Sequence, residues 1–314
     1  MSGTYAPFPV NPAIVAVAVA YRNAELIADR VLPRVTVGTK SFKHTVWPKG
    51  MAFTVPNTRV GRKGKVTEIE FEGQETPNFT EDYGLDGVVP NEDIAIAEKE
   101  GLPDPVLVSA EFTTELVALD REVRTANLVF AAGTYDAGSK LQLAGNDRWD
   151  VAHADSQPID DIQDALDTRI MRPNTMVLGH KAASKLLRHP VILKGFHGSD
   201  GDKGKATLSY LAELFELESV WVGRAFFNTA KKGAAPNIVR AWGNHCALLH
   251  LNPKATPTQG TTYGYTAQFG PKVGGNWEDK NIGLKGGQKV RVGESVREVV
   301  TAADLGFLLQ DVVS

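Results

Sequence analysis

Ser41-Phe42-Lys43-His44-Thr45-Val46-Trp47, closed by Pro48-Lys49-Gly50, is followed later by Thr67-Glu68-Ile69-Glu70-Phe71-Glu72. Both runs alternate with period two. Phe42, His44 and Val46 share one face of the first, and Thr67, Ile69 and Phe71 share one face of the second, opposite three glutamates. Alternation of this kind predicts strands. Between the runs lies the basic, glycine-bearing segment Arg59-Val60-Gly61-Arg62-Lys63-Gly64-Lys65. Residues 39–82 therefore read as a long two-stranded arm. It holds too few apolar residues for a core of its own, and an isolated hairpin is marginal in water, so it must lie on something. Head-to-tail docking of copies, base of one against acid of the next, suits it. The candidate inter-subunit residues are Lys49, Arg59, Arg62, Lys63 and Lys65 with Glu68, Glu70 and Glu72. A solvated hairpin whose charges serve solubility fits the same residues.

On the amino-terminal side, Pro7 and Pro9 predict an extended start. Asn11-Pro12 reads as an N-cap and first helical residue, opening a short helix toward Asp29 that stops before Pro33. Arg34 to Val37 reads as a strand. On the other side, Asp104-Pro105 starts a long helix, 105–132. Along it Phe112, Leu116, Leu119, Val123, Ala126 and Phe130 recur at steps of four and three, a stripe expected to lie on a sheet. A helix of roughly 25 residues spans about 38 Å. From Gln157 the pattern alternates helix and strand: helices at 160–170, 181–188 and around Leu208 to Phe215, with strands at 175–178, 220–227, 238–242 and 246–251. The carboxy-terminal part is β-rich, with Tyr263, Tyr265, Ala267 and Phe269 alternating, then strands at 289–292 and 295–300.

The 314 residues are 42% hydrophobic and 23% charged, which suits a globular chain and argues against extensive disorder. A net charge of -3 argues against a protein whose main task is to grip phosphate. Cys246 is the only cysteine, so an internal disulfide and a Cys-based zinc site are excluded. In the run Cys246-Ala247-Leu248-Leu249 it reads as a small buried hydrophobe. The apolar run Ala13 to Ala20 is too short for a membrane span and lacks a basic flank, so a reducing cytosol is the expected folding environment.

Catalytic and ligand motifs fail on spacing. In Gly198-Ser199-Asp200-Gly201-Asp202-Lys203-Gly204-Lys205, Ser199 stands where a phosphate loop needs Gly, and Ala206 stands where it needs Ser or Thr. Asp200 and Asp202 lack the closing Glu of a calcium loop. His189 and His197 lack zinc-protease spacing, His245 and His250 sit near a strand as structural histidines do, and no Gly-x-Ser-x-Gly occurs. No catalytic, cofactor or metal residue is assigned.

The order of elements resembles the Hong Kong 97-type capsid fold of tailed-phage major capsid proteins, shared with encapsulin cages. Tyr21-Arg22-Asn23-Ala24-Glu25-Leu26-Ile27-Ala28-Asp29-Arg30-Val31-Leu32-Pro33-Arg34-Val35-Thr36-Val37 is similar to the amino-terminal arm of such proteins. Pro173-Asn174-Thr175-Met176-Val177-Leu178-Gly179 and Val220-Trp221-Val222-Gly223-Arg224-Ala225-Phe226-Phe227-Asn228 carry the same resemblance. It implies an α+β chain with an N-terminal arm (1–38) and an extended loop (39–82). A peripheral domain (83–156 and 256–314) would carry the spine helix, and an axial α/β domain (157–255) would meet its copies in pentamers and hexamers. It further implies a non-enzymatic virion protein, assembled in the host bacterial cytoplasm, without cofactor or membrane. Its partners would be itself, a separate scaffolding protein, a portal protein, a possible decoration protein, and packaged DNA held weakly. Lys49, Lys63 and Lys65 lie in the loop where some relatives cross-link, but no acceptor or catalytic acid aligns. Two alternatives stay open: an encapsulin-like cage storing a cargo enzyme, and an α/β enzyme using His189 or His197.

Overall fold

The computed structural model describes residues 26–46, 53–70, 73–150, 155–198 and 204–314. The expected helix start at Asn11-Pro12 and most of the loop at Gly198 to Lys205 fall outside them.

Helix α1 (Ala28–Val31) stops where Pro33 removes a backbone donor, and strand β1 (Arg34–Val37) follows. Strands β2 (Ser41–Val46) and β3 (Gln74–Phe79) form a hairpin that leads into β4 (Glu81–Pro90). Helix α2 (Asn91–Glu100) ends at Gly101, whose φ of +67° suits a residue without Cβ. Helix α3 (Pro105–Val129) starts as predicted, with Asp104 accepting from the Val106 N–H at 2.8 Å. It stops three residues short of the expected end. The Thr134 and Tyr135 hydroxyls donate to the Leu128 and Val129 carbonyls and satisfy its last turn.

Next come β5 (Lys140–Gln142), α4 (Pro158–Asp167), β6 (Thr175–Gly179), α5 (His180–Leu186), α6 (Pro190–His197) and α7 (Leu208–Leu214). Then follow β7 (Ser219–Gly223), β8 (Phe226–Asn228), β9 (Ile238–Arg240) and β10 (Cys246–Leu249). The chain closes with β11 (Gly264–Asp279), β12 (Gly287–Val300) and β13 (Gly306–Gln310).

Two sheets organise the molecule. One has the order β1-β11-β12-β4, the other β5-β13-β10-β6-β7. The second draws β5 and β13 from outside residues 157–255. Its central strands are buried on both faces, which is why β6 and β10 read as unbroken apolar runs. Met176, Leu178, Cys246 and Leu248 face a core closed by α4 to α7, with Ile162, Leu186, Ile192 and Leu211. Val177, Ala247 and Leu249 face a second core with Val31, Leu32, Val129, Phe130, Trp242 and Tyr263. Gly223 is required here, because a Cβ would lie 2.0 Å from Trp242 Cγ.

The expected apolar stripe of α3 is borne out at Ala126 and Phe130 and corrected at Phe112 and Leu116. Ala110, Thr113, Thr114, Val117, Arg121, Glu122, Thr125, Ala126 and Val129 are buried, whereas Phe112 is 63% and Leu116 53% exposed. The physical reason is the closeness of approach. The helix lies so near β4 that a Cβ on Gly87 would sit 2.1 Å from Ser109 Oγ, leaving room only for small residues. Thr113 and Thr114 donate to the Ser109 and Ala110 carbonyls, so their hydroxyls bury without penalty.

One buried carboxylate ties these parts together. Glu122 accepts from the N–H groups of Ile27 at 3.0 Å and Ala28 at 2.7 Å, and from Trp242 Nε1 at 2.6 Å. The first two are donors of the α1 start that have no intrahelical acceptor, so Glu122 caps that helix from another element. Beside it, the Arg121 guanidinium pairs with Asp29 and donates to Thr266 Oγ1 at 3.1 Å and the Leu32 carbonyl at 3.4 Å. Glu122→Ala leaves three buried donors without an acceptor and should cost about 2–5 kcal/mol of unfolding free energy, with Glu122→Gln costing less. Burial pushes the Glu122 carboxyl above its ordinary 4.5, against the hydrogen bonds from Ile27, Trp242 and Ala28. The folded state then holds the proton longer than the unfolded one, so this group's contribution to stability falls as pH rises from 4.5 through the raised value. Denaturant unfolding across that window should show the slope in the natural chain and its loss in Glu122→Gln.

Candidate assembly surface

The arm is anchored at its stem. Phe42 packs with Val37, Tyr265, Ala267 and Val299, and His44 is buried, its Nδ1 2.9 Å from Asn78 Nδ2. This bears out the expected inward face of the first strand. The Thr80 N–H donates to the Lys40 carbonyl at 2.8 Å and sets the register Ser41↔Phe79 to Val46↔Gln74.

That register overturns the second strand read from the sequence. Thr67 to Glu70 lie outside any strand, and Phe71 falls outside the described residues. Alternation says only that a segment fits a sheet; the partner edge decides whether it joins one. With Thr80 locking β3 against β2, residues 67–70 do not join the edge that their alternation suggested.

The tip has its own local order. The Thr67 hydroxyl donates to the Asn57 carbonyl at 3.0 Å, and the Gly64 N–H donates to the Gly61 carbonyl at 2.8 Å. Arg62 and Lys63 occupy the corners of that turn. Of the candidate contact residues, Arg59, Arg62, Lys63, Lys65, Glu68 and Glu70 are all exposed on this loop, while Lys49 and Glu72 fall outside the described residues. Lys65 and Glu68 pair with each other at 2.9 Å, an exposed contact worth little. Arg59, Arg62 and Lys63 make no ion pair among the described residues.

By contrast, the acids of the four-stranded sheet are engaged at home. Arg291 holds Asp86 through two bonds of 2.6 Å, Arg297 pairs with Glu81 at 2.9 Å, and Lys40 with Asp82 at 2.6 Å. Hydrogen bonds from Arg291 hold the Asp86 carboxyl below its usual range, and those from Lys40 and Ser295 do the same for Asp82. Arg124 lies 3.6 Å over the Tyr83 ring. Burial and the bond to Glu81 push the Tyr83 hydroxyl up to about 12.

The sequence reading missed the apolar part of the surface. Phe53, Val55, Val66 and Ile69 stand exposed on the arm. Phe112 and Leu116 form with Leu85 and Val108 an open cleft of about 500 Å³. Leu284 is 97% exposed at the β11–β12 turn, between Gly283 and Gly286, both at positive φ. A large apolar residue in a glycine-flanked turn was a legible signal. The two ends of the four-stranded sheet, β1 and β4, add strand edges that are unpaired among the described residues. Contiguous large apolar residues left in water, such as those lining the cleft, are the mark of surfaces completed by another molecule.

Residues suited to chemistry are occupied structurally. His189 lies 3.1 Å from Ser156 Oγ through Nε2, and its Nδ1 accepts from the Val191 N–H at 3.4 Å, capping α6. His250 Nδ1 meets the Arg172 carbonyl at 3.0 Å. Cys246 is buried, which raises its thiol far above the reactive range. Among the described residues no three His, Cys, Asp or Glu side chains converge as metal ligands.

No protein-family model matches the chain. It is 47% identical over 309 residues to the major capsid protein of Pseudomonas phage JBD67, covering 98% of this chain and 99% of that protein. Among solved structures, a phage-related protein of Bordetella bronchiseptica RB50 superposes with a TM-score of 0.72 at 25% identity, covering 96% of this chain and 97% of that one. The capsid of Cyanophage P-SCSP1u gives a TM-score of 0.60 at 10% identity, over 98% of this chain and 92% of that one. Near-complete coverage at 47% identity, with the fold shared by a phage capsid, places the chain in the family of phage major capsid proteins, with the Hong Kong 97-type α+β fold.

Proposed function

We propose that this chain is the structural subunit that assembles, copy on copy, into an icosahedral phage head enclosing double-stranded DNA. The observation that carries the reading is the 47% identity over essentially the whole of a phage major capsid protein. Exposed apolar residues on the arm, on α3 and at the β11–β12 turn support it, since a lone subunit leaves them in water.

In this reading residues 1–38 are the N-terminal arm and 39–82 the extended loop. The four-stranded sheet with α3 belongs to a peripheral domain (83–156 and 256–314). Residues 157–255, with β5 and β13 added to their sheet, form the axial domain that surrounds five-fold and six-fold axes. The loop tip, with Lys49, Arg59, Arg62, Lys63 and Lys65, reaches a neighbouring copy, and Glu68, Glu70 and Glu72 take part in the same contact. Many weak copies of one contact set, closed by symmetry, stabilise such a shell. A separate scaffolding protein, a portal protein and, in some shells, a decoration protein complete the partner set. The subunit carries no catalysis and no cofactor, is part of the virion, and assembles in the host cytoplasm. An encapsulin-like cage uses the same fold and is no better supported; nucleic acid rather than cargo enzyme inside purified particles separates the two.

Negative-stain microscopy of the expressed protein, with and without a scaffold, should show closed shells or rings of five and six. A compact monomer under all conditions would overturn the proposal. Deleting residues 50–64 should leave a subunit that unfolds cooperatively but forms no closed shells, as read by sedimentation. Arg59→Glu/Arg62→Glu/Lys63→Glu should weaken assembly, most at low salt where charges are least screened. An assembly defect independent of salt would remove the electrostatic part of the docking idea.

A further inference from the structure

We infer that a basic cavity between α5 and the β9–β10 loop is a binding site for the phosphate groups of nucleic acid. The cavity measures about 610 Å³, and Lys181, Lys185, Arg188 and Arg240 line it. In a chain with an excess of acids, this local surplus of positive charge stands out. Lys185 and Arg240 are half-buried, where an unmatched cation is costly.

Three of these cations are held in place without a salt-bridge partner among the described residues. Arg188 donates to the Ser184 carbonyl at 2.9 Å and Ser184 Oγ at 3.0 Å. Arg240 stacks 4.2 Å over the Phe226 ring and donates to the Arg224 carbonyl at 3.4 Å. Lys181 donates to the Ser314 main-chain oxygen. Lys185, Arg188 and Arg240 form no ion pair among the described residues. The acids nearby have other hydrogen-bond donors, and Asp150 also feels the charge of Lys185. Asp150 accepts from the Ser314 N–H and hydroxyl, and Asp311 accepts from Gln142 at 3.1 Å and lies 3.7 Å from His245.

The loop adds backbone donors. The N–H groups of Gly243, Asn244 and His245 have no backbone acceptor among the described residues. Backbone N–H groups without a backbone acceptor can donate to an anion. The loop is rigidly seated: a Cβ on Gly179 would lie 1.7 Å from the Gly243 carbonyl oxygen. His245 is neutral here, since burial lowers its pKa and its Nδ1 accepts from the Asp311 N–H at 2.9 Å.

Guanidinium forks, an ammonium and backbone donors suit tetrahedral phosphate. A docked protein segment would want an apolar anchor pocket, and the one large apolar group here, Trp242, is fully buried against Phe130. That the nucleic acid is the packaged genome rests on the shell reading above; phosphate binding by the subunit does not.

The test is fluorescence anisotropy of a short labelled DNA duplex on the full chain, with inorganic pyrophosphate as competitor. Three phosphate contacts predict an affinity falling about 40-fold between 50 and 200 mM salt. K185A/R188A/R240A should bind at least about ten-fold more weakly and lose most of the salt dependence, while K231A/K232A, outside the cavity, binds like the natural chain. Should the triple variant fail to fold, Lys185→Glu alone should still weaken duplex binding several-fold at 50 mM salt. Unchanged binding in these variants overturns the site. So does a poly-glutamate peptide that outcompetes the duplex at equal salt, which would assign the cavity to an acidic protein segment. Shell formation, scored separately, tests the shell reading alone.

Discussion

A carboxylate buried without a countercharge is costly, and Glu122 is kept in the interior by three donors that nothing else can satisfy. Two come from the start of α1 and one from the indole of Trp242, so one side chain joins the incoming chain, the long helix and the edge of the five-stranded sheet. Arg121, one residue earlier, reaches the other way, to Asp29, Leu32 and Thr266. Adjacent residues on one helix thus hold the segment that connects the amino-terminal part to both sheets. The core of Val31, Leu32, Val129, Phe130 and Trp242 forms around this arrangement.

The same constraint accounts for the surface. With Arg121 and Glu122 turned inward and Ser109 pressed against Gly87, the rotation of α3 about its axis is settled, and Phe112 and Leu116 must face outward. Grouped with Leu85 and Val108, they suit a face that a subunit buries only in company, where what is open in a monomer becomes the interior of the assembly. The charges divide in a parallel way. Those of the four-stranded sheet neutralise one another across strands, while Arg59, Arg62, Lys63 and the cavity cations Lys185, Arg188 and Arg240 form no salt bridge among the described residues.

Much of the architecture was legible. The Asp104-Pro105 start, the β1 and β2 strands with Phe42 and His44 inward, the doubly buried β6 and β10, and the structural Cys246 all follow from local rules: capping, period and apolar run length. The site was less so. The charged tip was identified, but the strand at Thr67 to Phe71 was assigned to a partner the chain does not offer, and the cationic cavity was invisible. Lys185 and Arg240 are 55 positions apart in number and meet only because β6 places α5 beside the β9–β10 loop.

By itself, then, the amino-acid order determined many of the helices and strands, among them the start of α3 and the runs of β1, β2, β6 and β10, and through its similarity to phage capsid proteins it determined the family. Both are carried by interactions between near neighbours or by an order of elements, and these survive in a linear reading. Only the tertiary structure decided which face of α3 is inside, which strand pairs with β2, and where unpaired cations gather. Each depends on how closely two distant backbones approach, and periodicity contains no distance of that kind. A stripe of large apolar residues marks burial, but whether it is buried in the chain's own core or against another molecule is settled by the room left beside Gly87.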